Sequence, residues 1–301
     1  MLRSPPRPIV PLLGAALLVL TSAWGSACAG PSPEGSGGEP ADPAVATDPG
    51  GSAPGAGGPI DLSAYRLVDL THPFDEEAIY WPTAPSGFQL EEVHHGPTEA
   101  GYFYSANRFC APEHGGTHLD APIHFAEGAQ AADEVPLERL VAPAVVVDVS
   151  EQAAADPDYR LTPDDMAAFE AEHGTIPEGA IVLLRTGWGE RWGDPLRYLG
   201  DDTPGDASDL HFPSYGEAAA ELLVAERGVA VLGVDTASID YGPSREFPVH
   251  QVAGAADVSG LENVAELHEL PPTGAWVLAL PMKIAGGSGG PVRIAALVPR
   301  R

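Results

Sequence analysis

His114-Gly115-Gly116-Thr117-His118-Leu119-Asp120-Ala121-Pro122-Ile123-His124 places three imidazoles and a carboxylate within eleven residues, in a chain with only 10 histidines among 301 residues. Neutral imidazole nitrogen and carboxylate oxygen are the usual protein ligands of zinc, manganese and iron. Gly115-Gly116 opposes a continuous helix, so His114 and His118 are not expected as a helical i, i+4 pair. In an extended segment His118 and Asp120 face the same side. Pro122 then redirects the chain and can return His124 toward the same pocket. One such histidine would be read as a surface or capping residue; this foursome points to a metal centre. The downstream candidates for further ligands are His250 and Glu262, twelve residues apart. His94, His95, His173, His211 and His268 read as isolated or surface residues.

Outward from the cluster, residues 65–71, 88–93 and 102–109 alternate as strands do. Residues 145–149, 180–184 and 229–234 read as short buried strands, and 276–280 and 292–298 as the last two. Thr162-Pro163-Asp164-Asp165 opens a helix that should stop at Gly174, with a capping Thr and Pro in the first turn. Ser214-Tyr215-Gly216-Glu217 reads as a second capping box, opening a helix over 217–226 closed by Gly228. The expected class is α/β: a single domain with a mixed β-sheet or barrel-like β core and outer helices.

The N-terminal part has a different composition. Arg3 and Arg7 precede an apolar run over residues 9–20, too short for a membrane span of about 20 residues. Residues 1–28 therefore read as a signal peptide, and Gly25-Ser26-Ala27-Cys28 resembles a lipobox, making Cys28 a candidate lipid anchor. Residues 29–59 form a Gly/Pro-rich stretch whose only large aliphatic is Val45, which reads as a disordered tether. The expected location is outside the cytoplasm, membrane-anchored or free. Residues 60–301 are long enough to bury a sizeable core. A formal net charge of −28 argues against nucleic acid as a partner. Lys283 is the sole lysine, so Schiff-base chemistry is nearly excluded. With Cys28 lipidated or removed, Cys110 is expected to stand alone as a small buried thiol rather than a nucleophile.

The segment 114–125 resembles the signature of the cyclase family of metal-dependent hydrolases, which includes bacterial kynurenine formamidase and isatin hydrolase. Other blocks agree in order: Asp69-Leu70-Thr71-His72-Pro73, Trp81-Pro82, Arg185-Thr186-Gly187-Trp188, His211-Phe212-Pro213, the run over 233–240, His250, Glu262-Asn263, and the run over 281–291. The resemblance implies a swivelling β/β/α fold and a zinc or manganese centre of one or two ions. In binuclear members the positions matching His114 and His118 hold one metal, that of His250 a second, and those of Asp120 and Glu262 bridge both. The position of His124 is the proton donor and acceptor, and Trp81 sits where the family contacts an aromatic substrate.

The chemistry suits those residues. An amide is a poor electrophile, and a divalent ion polarises its carbonyl and lowers the pKa of bound water toward about 7. His124 is suited to take a proton from water and return it to the departing nitrogen. Trp81 or Phe212 would hold a flat substrate by stacking. The expected activity is hydrolysis of the C–N bond of a small aromatic or cyclic amide, of the arylformamidase or isatin hydrolase kind. Tryptophan catabolism is one setting, although export sits oddly with it. A homodimer is expected. Two alternatives stand: an exported non-catalytic metal- or ligand-binding lipoprotein, and a non-haem iron oxygenase using His118-x-Asp120 with His250. The Gly-rich run over 286–291 lacks the Lys-Ser/Thr of a phosphate loop and reads as a demanding turn.

Overall fold

The computed structural model describes residues 61–300. The expected signal peptide, its Cys28 and the tether over 29–59 lie outside the described residues. The strands are β1 (Tyr65–Asp69), β2 (Gln89–Pro97), β3 (Phe103–Cys110), β4 (His118–Asp120), β5 (Val141–Asp148), β6 (Arg160–Leu161), β7 (Ile181–Arg185), β8 (Ser214–Tyr215), β9 (Val231–Val234), β10 (Ser259–Glu262), β11 (Ala275–Pro281) and β12 (Gly289–Pro299). The α-helices are α1 (Leu137–Leu140), α2 (Ser150–Ala155), α3 (Pro163–His173), α4 (Pro195–Leu199), α5 (Glu217–Glu221) and α6 (Pro248–Ala255).

Strands β12, β11, β5, β7, β9, β10 and β4 pair in that order, and β4 pairs again with β12, so seven strands close into a mixed barrel. β1 joins the outer edge of β12 beyond the β4 contact. The β5, β7, β9 and β10 neighbours are parallel. Parallel strands are covered on both faces and so carry unbroken apolar runs, as in Ile181-Val182-Leu183-Leu184. Alternate residues of that run go to different places. Ile181 and Leu183 join Val146, Val231, Leu261 and Ile294 in the larger interior cluster. Val182 and Leu184 join Met166, Ala219, Leu223 and Val249 beneath α3, α5 and α6. β12, antiparallel to all three of its partners, alternates buried with more exposed residues along its length.

β2 and β3, both expected as strands, form a separate two-stranded ribbon outside the barrel. The second capping box is corrected. Ser214 is no helix cap: it lies in β8, paired with β6, and its Oγ sits 2.8 and 2.7 Å from the Ser238 and Ile239 carbonyl oxygens, sharing its one proton between them. α5 starts at Gly216 without a side-chain cap and passes into a wider π turn over Leu222–Glu226. Cys110 ends β3 and is partly buried.

Candidate metal centre

Strand β4 sets the first pair. Alternation along it sends Leu119 into the interior cluster and His118 and Asp120 to the opposite side. The antiparallel register with β10 puts Glu262 directly opposite His118 and Gly260 opposite Asp120, and directly opposed side chains share a face. A Cβ on Gly260 would lie 3.3 Å from Asp120 Oδ2, so glycine leaves the carboxylate its space. His250 comes from the first turn of α6. The backbone N–H groups of Val249 and His250 both donate to Asp240 at 3.1 Å, and His250 Nδ1 lies 2.7 Å from the same carboxylate. Asp240 thus caps the helix and orients the imidazole. Past β4, a single 3-10 turn over Pro122–His124 folds His124 back. Its ring stacks on His114 with centroids 3.8 Å apart and planes 17° from parallel.

Gly115 and Gly116 have φ of 146° and 59°, which side chains rarely adopt. A Cβ on Gly115 would strike the Tyr80 ring, and one on Gly116 the Phe74 ring. This backbone aims the Gly116 carbonyl at two donors, His118 Nδ1 at 3.0 Å and Asn263 Nδ2 at 2.6 Å. With Nδ1 donating, His118 offers the lone pair of Nε2 to the centre. That atom is buried and has no hydrogen-bond partner, although Asp120 Oδ1 and Glu262 Oε2 lie 3.2 and 3.4 Å away. His250 is arranged alike: Nε2 faces Asp120 Oδ2 at 3.3 Å and Glu262 Oε1 at 3.2 Å. His114 Nδ1 lies 2.6 Å from Asp120 Oδ1. Candidate ligand atoms of His114, His118 and Asp120 lie within 4.8 Å of one another, as do those of Asp120, His124 and His250. An orphaned buried nitrogen among nitrogen and oxygen donors, with no thiolate, fits a divalent ion.

The electrostatics agree. Burial would lower the His118 pKa, but the Asp120 and Glu262 carboxylates outweigh it and raise it to about 9. His250 is raised well above its ordinary value, against burial, by Asp120, Asp240 and Glu262. Asp120 is held well below the carboxylate range, again against burial, by its three histidine neighbours. Burial and the nearby Asp120 charge raise Glu262. The field at the centre therefore favours positive charge, whether carried by a proton or by a metal ion. His124 behaves differently: burial pushes it down to about 4, so it is neutral near pH 7.

A cavity of about 350 Å³ opens onto these groups, with Tyr80, Trp81, Phe125 and Phe247 among its walls. Trp81 lines this cavity. Phe212 does not line it: it is fully buried in a cluster with Trp188, Tyr198 and Leu210, and meets Trp81 edge-on at 6.4 Å. The half-exposed His211 pairs with Asp158 at 2.9 Å, while its neighbour Phe212 is buried and backs the Trp81 wall.

The Cyclase family model matches residues 68–241. The chain belongs to the cyclase family. This cyclase-family chain is 38% identical over 208 residues to the isatin hydrolase of Roseibium aggregatum, covering 66% of this chain and 77% of that one. It is 32% identical over 231 residues to the kynurenine formamidase of Salinibacter ruber, covering 75% and 95%. Among solved structures it resembles isatin hydrolase A from Ralstonia solanacearum with a TM-score of 0.72 at 38% identity, covering 78% and 93%.

The structure thus brings His114, His118, Asp120, His124, His250, Glu262 and Trp81 to one cavity and removes Phe212 from it. Sequence reasoning missed Asp240, Asn263, Phe125 and Phe247. Asn263 sits at φ 54° and ties Gly116 to the Tyr198 hydroxyl, 2.9 Å from its Oδ1. One signal pointed to Phe247: the Pro248 that follows it marks a helix N-terminus just ahead of His250.

Proposed function

We propose that the protein is a metal-dependent hydrolase that cleaves the C–N bond of a small aromatic or cyclic amide. One observation carries this reading. Asp120 and Glu262 each divide their two oxygens between the His118 side and the His250 side of the centre. His114 and His118 on one side, His250 on the other, and Asp120 and Glu262 between them would hold one or two divalent ions, zinc or manganese. Five donors exceed the two-histidine, one-carboxylate set of an iron oxygenase. The relatives named isatin hydrolase and kynurenine formamidase support the reaction class.

A bound divalent ion would supply Lewis acidity, polarising the amide carbonyl and acidifying water. The chain's own residues do the rest. Neutral His124 carries a lone pair at the cavity floor, so it can accept a proton from the attacking water and deliver it to the leaving nitrogen. Trp81, Phe125 and Phe247 wall a space suited to a flat ring and limit the entry of bulk water.

The test is metal analysis of the purified protein with parallel assays on isatin and N-formylkynurenine, with and without chelator. Hydrolysis that disappears on chelation and returns with zinc or manganese is expected. His124→Ala should keep its metal and lose about 10²–10⁴-fold in kcat. Full activity in that variant would remove His124 from the mechanism. Tight metal binding with no turnover on an amide and lactone panel would favour a non-catalytic binding protein instead. Export and homodimer formation are also proposed. The first is supported by the leader-like residues 1–28, the second by Leu90, Val93, Phe103 and Tyr104, exposed on the β2–β3 ribbon.

A further inference from the structure

The Gly-rich turn that closes onto β12 contributes no atom to the centre as described, yet it reaches one of the candidate ligands. Ser288 Oγ lies 2.8 Å from His114 Nε2 and 2.6 Å from Glu113 Oε2. The Ser288 backbone N–H also donates to Glu113 Oε2, at 3.0 Å. The turn is held from behind. Ala121 N–H donates to the Ser288 carbonyl, Ala132 N–H to the Gly287 carbonyl, and Gly286 N–H to Asp133 Oδ1. The flanking glycines permit the approach. A Cβ on Gly289 would come within 2.7 Å of His114 Cε1, and one on Gly287 within 2.9 Å of Glu113 Oε1.

Proton counting decides what this contact does. A serine hydroxyl has one proton. Glu113 Oε2 is an acceptor toward the Ser288 N–H, and at 2.6 Å it takes the hydroxyl proton as well. Ser288 Oγ then has only lone pairs to offer His114, so His114 Nε2 must carry the hydrogen and donate it. His114 Nδ1, 2.6 Å from Asp120 Oδ1, is then the ring nitrogen that would face a bound ion. His118 and His250 are held the other way round, with Nδ1 donating to Gly116 and Asp240 and Nε2 facing the centre.

We infer that Glu113 and Ser288 are positioning residues that fix His114 in the Nε2–H tautomer, so that it presents Nδ1 to the metal while His118 and His250 present Nε2. The inference rests on the metal reading above. It accounts for the Gly-Gly-Ser-Gly-Gly turn, since the glycines let the hydroxyl reach the back of a ligand ring.

The test uses zinc-loaded full-length protein with ¹⁵N-labelled histidine. Long-range ¹H–¹⁵N correlations should show the His114 proton on Nε2 and those of His118 and His250 on Nδ1. In competition with a chromophoric chelator, Ser288→Ala and the near-isosteric Glu113→Gln should bind zinc about 10–100-fold more weakly. Ser288→Thr, which keeps the hydroxyl, should recover most of the loss. A His114 proton on Nδ1, or unchanged zinc affinity in both Ser288→Ala and Glu113→Gln, overturns the inference and leaves the metal reading intact. A wild-type protein that binds neither zinc nor manganese overturns both.

Discussion

Trp81 and Phe212 meet edge to face, yet they differ in what surrounds them. Phe212 is enclosed on all sides, so Phe212→Ala is expected to cost about 3–5 kcal/mol in urea unfolding. Trp81 has one face on the cavity. Trp81→Ala should leave most of the stability and raise KM up to about tenfold for an aromatic amide, the worth of one aromatic contact. Equal effects of the two substitutions on stability would show that this division is wrong. By residue type the two look alike, both aromatics beside proline, and only the family resemblance singled out Trp81. The candidate ligands were legible at this scale for another reason: the chemistry of imidazole and carboxylate belongs to the side chain, and the i, i+2 spacing of His118 and Asp120 belongs to covalent strand geometry.

The two capping boxes show where local patterns hold and where they yield. At α3 both halves form: Thr162 Oγ1 accepts from Asp165 N–H at 3.2 Å, and Asp165 Oδ2 accepts from Thr162 N–H at 2.8 Å. Burial would raise the Asp165 pKa, but hydrogen bonds from Thr162 and Tyr159 hold it below the usual carboxylate value. A lowered native pKa contributes stability that is complete above the unfolded-state pKa and is lost as pH falls through the native one. Asp165→Ala should therefore cost about 1–2 kcal/mol at neutral pH and progressively less in acid, read from unfolding curves across the range. A penalty that stays constant with pH would assign the effect to something other than the carboxylate. The second box, at Ser214, never forms because two buried carbonyls take its hydroxyl and β6 takes its backbone. A long-range partner outcompetes the local cap, and sequence offers no sign of that partner.

For the whole molecule, barrel closure is also assembly of the centre. β4 seals the barrel between β10 and β12, while α6 supplies His250 from 130 residues along the chain. An ion held by β4, β10 and α6 would bind only the folded state and stabilise it by mass action, by about 2.7 kcal/mol at a hundredfold excess over Kd. For a unit of this size that corresponds to roughly 5–10 °C in Tm. Chelation should lower Tm by that amount and either ion should restore it, as read by scanning calorimetry. A Tm indifferent to chelator and to added ion would mean that the centre does not load.

The sequence by itself determined the α/β class, the family and most of the cluster of imidazoles and carboxylates, because residue type, strand periodicity and short spacings are properties of neighbouring positions. Only the tertiary structure decided the β4–β10 register that sets Glu262 against His118, the arrival of His250, and the inward turn of Phe212. Each depends on which distant segments meet when the barrel closes, and that is fixed by packing and hydrogen bonding across the whole fold.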